Sequence, residues 1–116
     1  MAEGKYRLLI AEDEVSIRKL TAAFLTKNGF EVDQVGNGDD ACQMVMQNRY
    51  DAIILDIMMP GRDGREVCRF IRSRYDVPVI FLTALVSEKD IEEGYETGAD
   101  EYLTKPFSTK LLLLNN

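Results

Sequence analysis

Ala52-Ile53-Ile54-Leu55-Asp56 is an unbroken apolar run closed by an acid. Four consecutive apolar residues without alternation describe a strand covered on both faces, as in the middle of a parallel sheet sandwiched by helices. The same pattern returns upstream as Leu8-Leu9-Ile10-Ala11 and downstream as Val79-Ile80-Phe81-Leu82. Two weaker segments, Glu31-Val32-Asp33-Gln34-Val35 and Glu101-Tyr102-Leu103-Thr104, alternate or carry charge, which suits positions nearer the sheet edges.

Amphipathic segments fill the intervals. Ile17, Leu20, Thr21 and Phe24 recur at helical spacing before Asn28-Gly29, a pair that favours a left-handed helix stop. Ala41, Met44 and Val45 form a second stripe behind Asn37-Gly38-Asp39, and Val67, Phe70 and Ile71 a third with Asp63 as N-cap. Arg65, Arg69 and Arg72 read as the solvated face of that third helix. Ser87-Glu88-Lys89-Asp90 resembles a capping box with Asp in place of Glu, opening a fourth helix that stops near Gly98. Ser108 caps a fifth, which Lys110 to Asn116 leaves about two turns, so this helix reads as cut short and any output domain as absent. No repeat or linker interrupts the pattern, so residues 1–116 read as one doubly wound α/β domain of (βα)5 type.

Composition narrows the function. The formal net charge is -6, which makes direct binding to DNA or to an anionic membrane unfavourable. Histidine is absent, which removes the usual general base, the commonest zinc ligand and any phosphohistidine from this chain, so phosphohistidine chemistry must involve a partner. Cys42 and Cys68 lack metal-ligand spacing and fall in helical patterns, and both read as reduced and buried. Met1 to Arg7 carries no signal-peptide apolar region and no apolar run approaches the ~20 residues of a membrane span. A cytoplasmic chain is expected.

Ligands of open α/β sheets bind beyond the carboxyl ends of the strands, where strand order reverses. With the order 2-1-3-4-5 the reversal falls between the first and third strands, which brings Glu12, Asp13 and Asp56 together. Clustered carboxylates either raise one another's pKa or recruit a cation, and an all-oxygen site with room for water suits Mg²⁺. Lys105 and the Thr83 hydroxyl, at two further strand ends, complete a set that could hold a phosphoryl group, with Asp56 as nucleophile. Asp13 alone also fits a helix-dipole role, and Thr83 or Lys105 alone carries little meaning; an acid closing a buried apolar strand is costly unless it has a task.

Four stretches in order then resemble one family: Leu8 to Glu14, Asp56-Ile57-Met58-Met59-Pro60-Gly61-Arg62-Asp63-Gly64, Pro78 to Ala84, and Gly98 to Phe107. They are similar to the receiver domain of bacterial two-component response regulators, near the subfamily that precedes a winged-helix DNA-binding domain. The resemblance implies that Asp56 accepts a phosphoryl group from a sensor histidine kinase, with Mg²⁺, or Mn²⁺ in its place, held by Asp13, Asp56 and the backbone carbonyl of Met58. It implies that Glu12 acts through metal-bound water, that Lys105 pairs with phosphoryl oxygens ahead of a cis bond to Pro106, and that Thr83 moves toward the phosphoryl group. Tyr102 becomes the switch aromatic, altering the surface of the fourth helix, fifth strand and fifth helix, through which a homodimer is expected. DNA would be reached only through a missing C-terminal domain; a stand-alone receiver acting by protein contact is the alternative. Kinase choice is expected to rest on surface residues of the first helix, including Ser16, Arg18, Lys19 and Ala22, and slow self-dephosphorylation on apolar Met58 and Leu85. The closing helix departs from the subfamily, with Leu111-Leu112 where an acid-leucine pair is usual and Asn115 where a basic residue is usual.

Two rival classes fit less well. A haloacid-dehalogenase-like phosphatase needs a second Asp two residues after the nucleophile, where Met58 stands. A flavin mononucleotide carrier needs a hydroxyl- and glycine-rich loop where Glu12-Asp13-Glu14 would repel phosphate.

Overall fold

The computed structural model describes residues 6–105. The expected fifth helix from Ser108, the Leu111 to Leu114 run and the expected cis Lys105-Pro106 bond fall outside the described residues. Five strands, β1 (Arg7–Ala11), β2 (Glu31–Val35), β3 (Ala52–Leu55), β4 (Val79–Thr83) and β5 (Glu101–Thr104), alternate with α1 (Val15–Lys27), α2 (Gly38–Gln47), α3 (Gly64–Arg74) and α4 (Glu88–Glu96). All pairings are parallel and the order is β2-β1-β3-β4-β5. The charged strands β2 and β5 are the edges, as expected of strands that are not covered on both sides.

The period of the strands divides the core in two. Leu9, Ala11, Ile53, Leu55, Val79 and Phe81 face α2 and α3, meeting Ala41, Val45, Val67 and Ile71. The intervening Leu8, Ile10, Ile54, Ile80 and Leu82 face the other way, against Ala22 and Leu25 of α1. An apolar run with no alternation is thus two alternating faces that both need cover. None of the described helices is long and apolar enough to cross a membrane.

The helix ends follow the sequence signals. Gly29 and Gly98 take positive φ values of 97° and 101° after α1 and α4. Asn37 accepts from the Asp40 amide, and Asp63 and Glu66 form a reciprocal capping box. At α4 the Ser87 hydroxyl oxygen accepts from the Asp90 amide while the same hydroxyl donates to Asp90 Oδ2 at 2.8 Å, a variant of the expected box.

Three expectations about helix faces need correction. Leu20 is 71% exposed; Thr21 is buried and Ile17 and Phe24 are half-buried as expected, but Ala22 and Leu25 complete the buried face, because the helix is rotated slightly from the stripe that spacing suggests. Ala22 is therefore core and not part of a kinase-facing surface, and Arg18 is half-buried with Nη1 donating to the Glu12 carbonyl at 2.8 Å. Of the three arginines assigned to a solvated face of α3, only Arg69 is exposed. Arg65 reaches α4, and Arg72 donates to the Gly98 carbonyl at 2.7 Å and to the Val77 carbonyl, and pairs with Asp100. Long side chains find partners from distant segments, which helical periodicity does not encode.

Candidate functional site

Register builds the site. Ala11 pairs with Leu55, and the Asp56 amide donates to the Ala11 carbonyl at 2.9 Å, so the next residues, Glu12 and Asp56, emerge side by side. On the far side the Lys105 amide donates to the Thr83 carbonyl at 2.8 Å, which carries the lysine to the same edge of the sheet. The cleft they line, about 660 Å³, also takes in Asp13, Met58, Arg65 and Leu85. A smaller cavity of about 300 Å³ at the opposite ends of the strands, lined by Tyr50 and Tyr75 among others, lacks such a cluster of acids.

Lys105 Nζ bridges the two buried acids, 2.8 Å from Asp56 Oδ2 and 2.5 Å from Glu12 Oε1. Asp56 is only 6% exposed. Its other oxygen, Oδ1, accepts from the Met58 amide at 3.2 Å, so both oxygens are oriented. Glu12 Oε2 accepts from the Glu14 amide at 3.0 Å. Burial pushes the Glu12 carboxyl above its ordinary 4.5, against the hydrogen bond from Lys105, with the Asp56 charge adding to the rise. Burial alone would lower the Lys105 ammonium, but hydrogen bonds to Asp56 and Glu12 outweigh it and hold the group above 10.5.

Asp13 is exposed at the mouth, and one carboxylate oxygen from each of Glu12, Asp13 and Asp56 lies within 4.8 Å of the others. Three carboxylates against one ammonium leave an excess of two negative charges, and hard oxygen donors at a water-accessible rim fit a divalent cation of the Mg²⁺ type. The loop after Asp56 is fixed by buried Met59 and by Gly64, where a Cβ would collide with the Asp56 carbonyl oxygen. Met58 points outward, 60% exposed.

Thr83 and Tyr102 stand apart from the acids. Thr83 is fully buried, with its hydroxyl oxygen accepting from the Leu85 amide at 3.4 Å. The Tyr102 hydroxyl donates to the Leu85 carbonyl at 2.7 Å, and its ring packs edge-on against Phe81 with centroids 5.9 Å apart. One loop residue, Leu85, therefore touches both. Glu12, Asp13, Asp56, Met58 and Lys105 line this cleft, and Thr83 and Tyr102 adjoin it through Leu85; Arg65 was missed. Its signal was the acidic stretch Glu88, Asp90, Glu92 and Glu93 on the following helix.

The chain matches the family model of the response regulator receiver domain over residues 8–115. It is 42% identical over 108 residues to the Transcriptional regulatory protein ResD of Bacillus subtilis (strain 168), a match covering 93% of this chain and 45% of that protein. The chain thus spans less than half the length of this relative. Among solved structures it is similar to the receiver domain of the Francisella response regulator 1452, at 34% identity and a TM-score of 0.91 over 96% of this chain and 93% of that one. It is equally similar to the BeF3-activated N-terminal receiver domain of Klebsiella pneumoniae RstA, at 32% identity and a TM-score of 0.91 over 94% and 93% of the two chains. Sequence and backbone agree along nearly the whole length, and the chain belongs to the response regulator receiver domain family: it is a receiver domain of a two-component response regulator, a signalling switch and not a conventional enzyme.

Proposed function

We propose that Asp56 is the phosphoacceptor of this switch and that a sensor histidine kinase supplies the phosphoryl group. The observation that carries this reading is the Lys105 to Asp56 contact of 2.8 Å at a buried acid beside two other carboxylates. An Asp56 oxygen forms the bond to phosphorus as the P–N bond to the kinase imidazole breaks; the electron pair leaves on the ring nitrogen, which is left as neutral imidazole after proton uptake. The chemistry that Mg²⁺, or Mn²⁺, would supply when bound is a lower repulsion between the two anions as they meet.

The roles divide by position. Asp13, Asp56 and the Met58 backbone carbonyl would hold the cation. Glu12, whose two oxygens already face Lys105 and the Glu14 amide, acts through water. Lys105 follows the phosphoryl oxygens. Thr83 turns its hydroxyl from the Leu85 amide to the phosphoryl group, and Tyr102 moves into the space it leaves, shifting the population between two packings. The changed face includes α4 and β5, and it serves a homodimer or a partner protein. Met58 and Leu85 offer no polar group to orient water, so the phosphoryl group is lost slowly.

Residues 1–116 act as one receiver unit in the cytoplasm, regulating transcription through a DNA-binding domain elsewhere in the protein, as the relative named a transcriptional regulatory protein favours. The test is intact mass after incubation with a small acyl phosphate and Mg²⁺. One added phosphoryl group that is lost with Asp56→Asn and with chelation supports the reading. No addition, either from the acyl phosphate or from a phosphorylated kinase, leaves a module that works by binding alone.

A further inference from the structure

Arg65 stands where the cleft of Asp56 meets the start of α4. It is the second residue of α3, directly after Gly64, whose close approach to the Asp56 carbonyl pins this turn against the end of β3. The side chain lines the same cleft as Asp56 and Lys105. Its guanidinium then reaches the first turns of α4, with Nη2 3.2 Å from Asp90 Oδ1 and 3.4 Å from Glu93 Oε1. Those separations exceed the ~2.7–2.9 Å of a strong charge-assisted hydrogen bond. The side chain is 21% exposed, and its buried Nε has no hydrogen-bond partner. A buried, unsatisfied donor on a planar fork is costly where it stands, and it is ready for an oxyanion that accepts two parallel N–H groups. Asp90 is also the acid that accepts the Ser87 hydroxyl, so the pull of Arg65 is felt at the N-cap of α4.

We propose that Arg65 is a positioning residue shared between two acidic sites: it clasps α4 through Asp90 and Glu93 in the unmodified domain, and a phosphoryl group on Asp56 draws the guanidinium, with its unpartnered Nε, into the cleft and slackens that clasp. This rests on Asp56 being the phosphoacceptor. A phosphoryl group brings close to two negative charges and three acceptor oxygens to one spot, whereas Asp90 and Glu93 are single charges, partly solvated at 28% and 40% exposure. The exchange of partners links the chemistry at the end of β3 to α4 by a route separate from Thr83 and Tyr102.

A bridge that only braces the fold and one that serves the phosphoryl group differ in a single comparison. Arg65→Gln removes the guanidinium; Asp90→Asn with Glu93→Gln frees it. The full chain is incubated with a small acyl phosphate and Mg²⁺, uptake is followed by intact mass, and hydrogen exchange is followed along α4. The acyl carboxylate leaves with the P–O electron pair, so no other reactant is needed. Arg65→Gln is expected to take up phosphoryl about tenfold more slowly than the double variant, with Arg65→Lys between them. Both acid-neutral and arginine-free variants exchange faster in α4 before modification, and phosphorylation of the unsubstituted chain speeds the same segment. Equal uptake by Arg65→Gln and the double variant, or α4 exchange that phosphorylation leaves unchanged, overturns the role of Arg65 alone. No mass gain by the unsubstituted chain overturns the phosphoacceptor reading and this inference with it.

Discussion

Lys105 is the residue that lets two buried acids share the end of the sheet. Its side chain is 14% exposed and those of Glu12 and Asp56 are 4% and 7% exposed, so water screens this triad poorly. Lys105→Met leaves two anions without their counter-charge and is expected to cost about 3 kcal/mol of stability in metal-free buffer. Mg²⁺ should return part of that loss in urea unfolding; an undiminished free energy of unfolding in metal-free buffer would show that the ammonium is not what stabilises the acids. A second residue governs alkaline behaviour. Tyr50 is half-buried and donates to Asp33 Oδ2 at 2.7 Å. Burial first, then that hydrogen bond and the Asp33 charge, hold the phenol well above its ordinary 10. The fold binds this proton more tightly than the unfolded chain does, so the contribution is complete below pH about 10 and is lost as pH rises toward the higher folded value. Tyr50→Phe should lower stability by about 1 kcal/mol at pH 7 and flatten the decline above pH 10, as thermal unfolding at stepped pH would reveal.

At the scale of elements, α3 is the piece on which most depends. Its first turn packs on the Asp56 main chain through Gly64, and near its other end Arg72 gathers the Gly98 carbonyl, the Val77 carbonyl and Asp100, whose Oδ2 also accepts the Val79 amide at 2.8 Å. That knot holds the starts of β4 and β5 in register. Arg72→Ala is expected to cost about 2 kcal/mol, and in native-state hydrogen exchange the loss should appear first at the Val79 and Asp100 amides; a uniform loss along the chain would refute a local role. The strands were legible because a parallel sheet covered on both faces leaves runs such as Ala52 to Leu55 with no polar interruption, and the helix stops because Gly29 and Gly98 need left-handed backbone. The exact face of α1 was not, since Ala22 and Leu25 pack beside the expected Thr21 while Leu20 faces outward. Arg65 and Arg72 were misread for a related reason: an arginine every few residues on a helix looks the same whether water or a distant carbonyl receives it.

For the molecule as a whole, strand order alone brings Glu12, Asp13, Asp56 and Lys105 to one edge from three separate stretches of chain, which is why the site could be read before any distance was known. What the order does not encode is how Lys105 divides itself between two acids, or that Leu85 links Thr83 to Tyr102. The same arrangement sets the response of global stability to metal. The acids sit at the ends of β1 and β3, neighbouring strands that both cores depend on, so a cation joining them bears on the entire fold and not on one loop. A ligand that binds only the folded chain stabilises it by mass action, about 1.4 kcal/mol at a free concentration ten times its dissociation constant, or several degrees of Tm for a domain of this size. Mg²⁺ should therefore raise the Tm in a concentration-dependent way that chelation reverses. Asp13→Asn removes one ligand at the exposed rim with little cost to packing, and it should abolish most of the shift while leaving the metal-free Tm unchanged or higher, since it relieves repulsion among like charges. A Tm that rises equally in the Asp13→Asn variant would mean that the cation acts on the -6 net charge at large and not at the three-acid cluster.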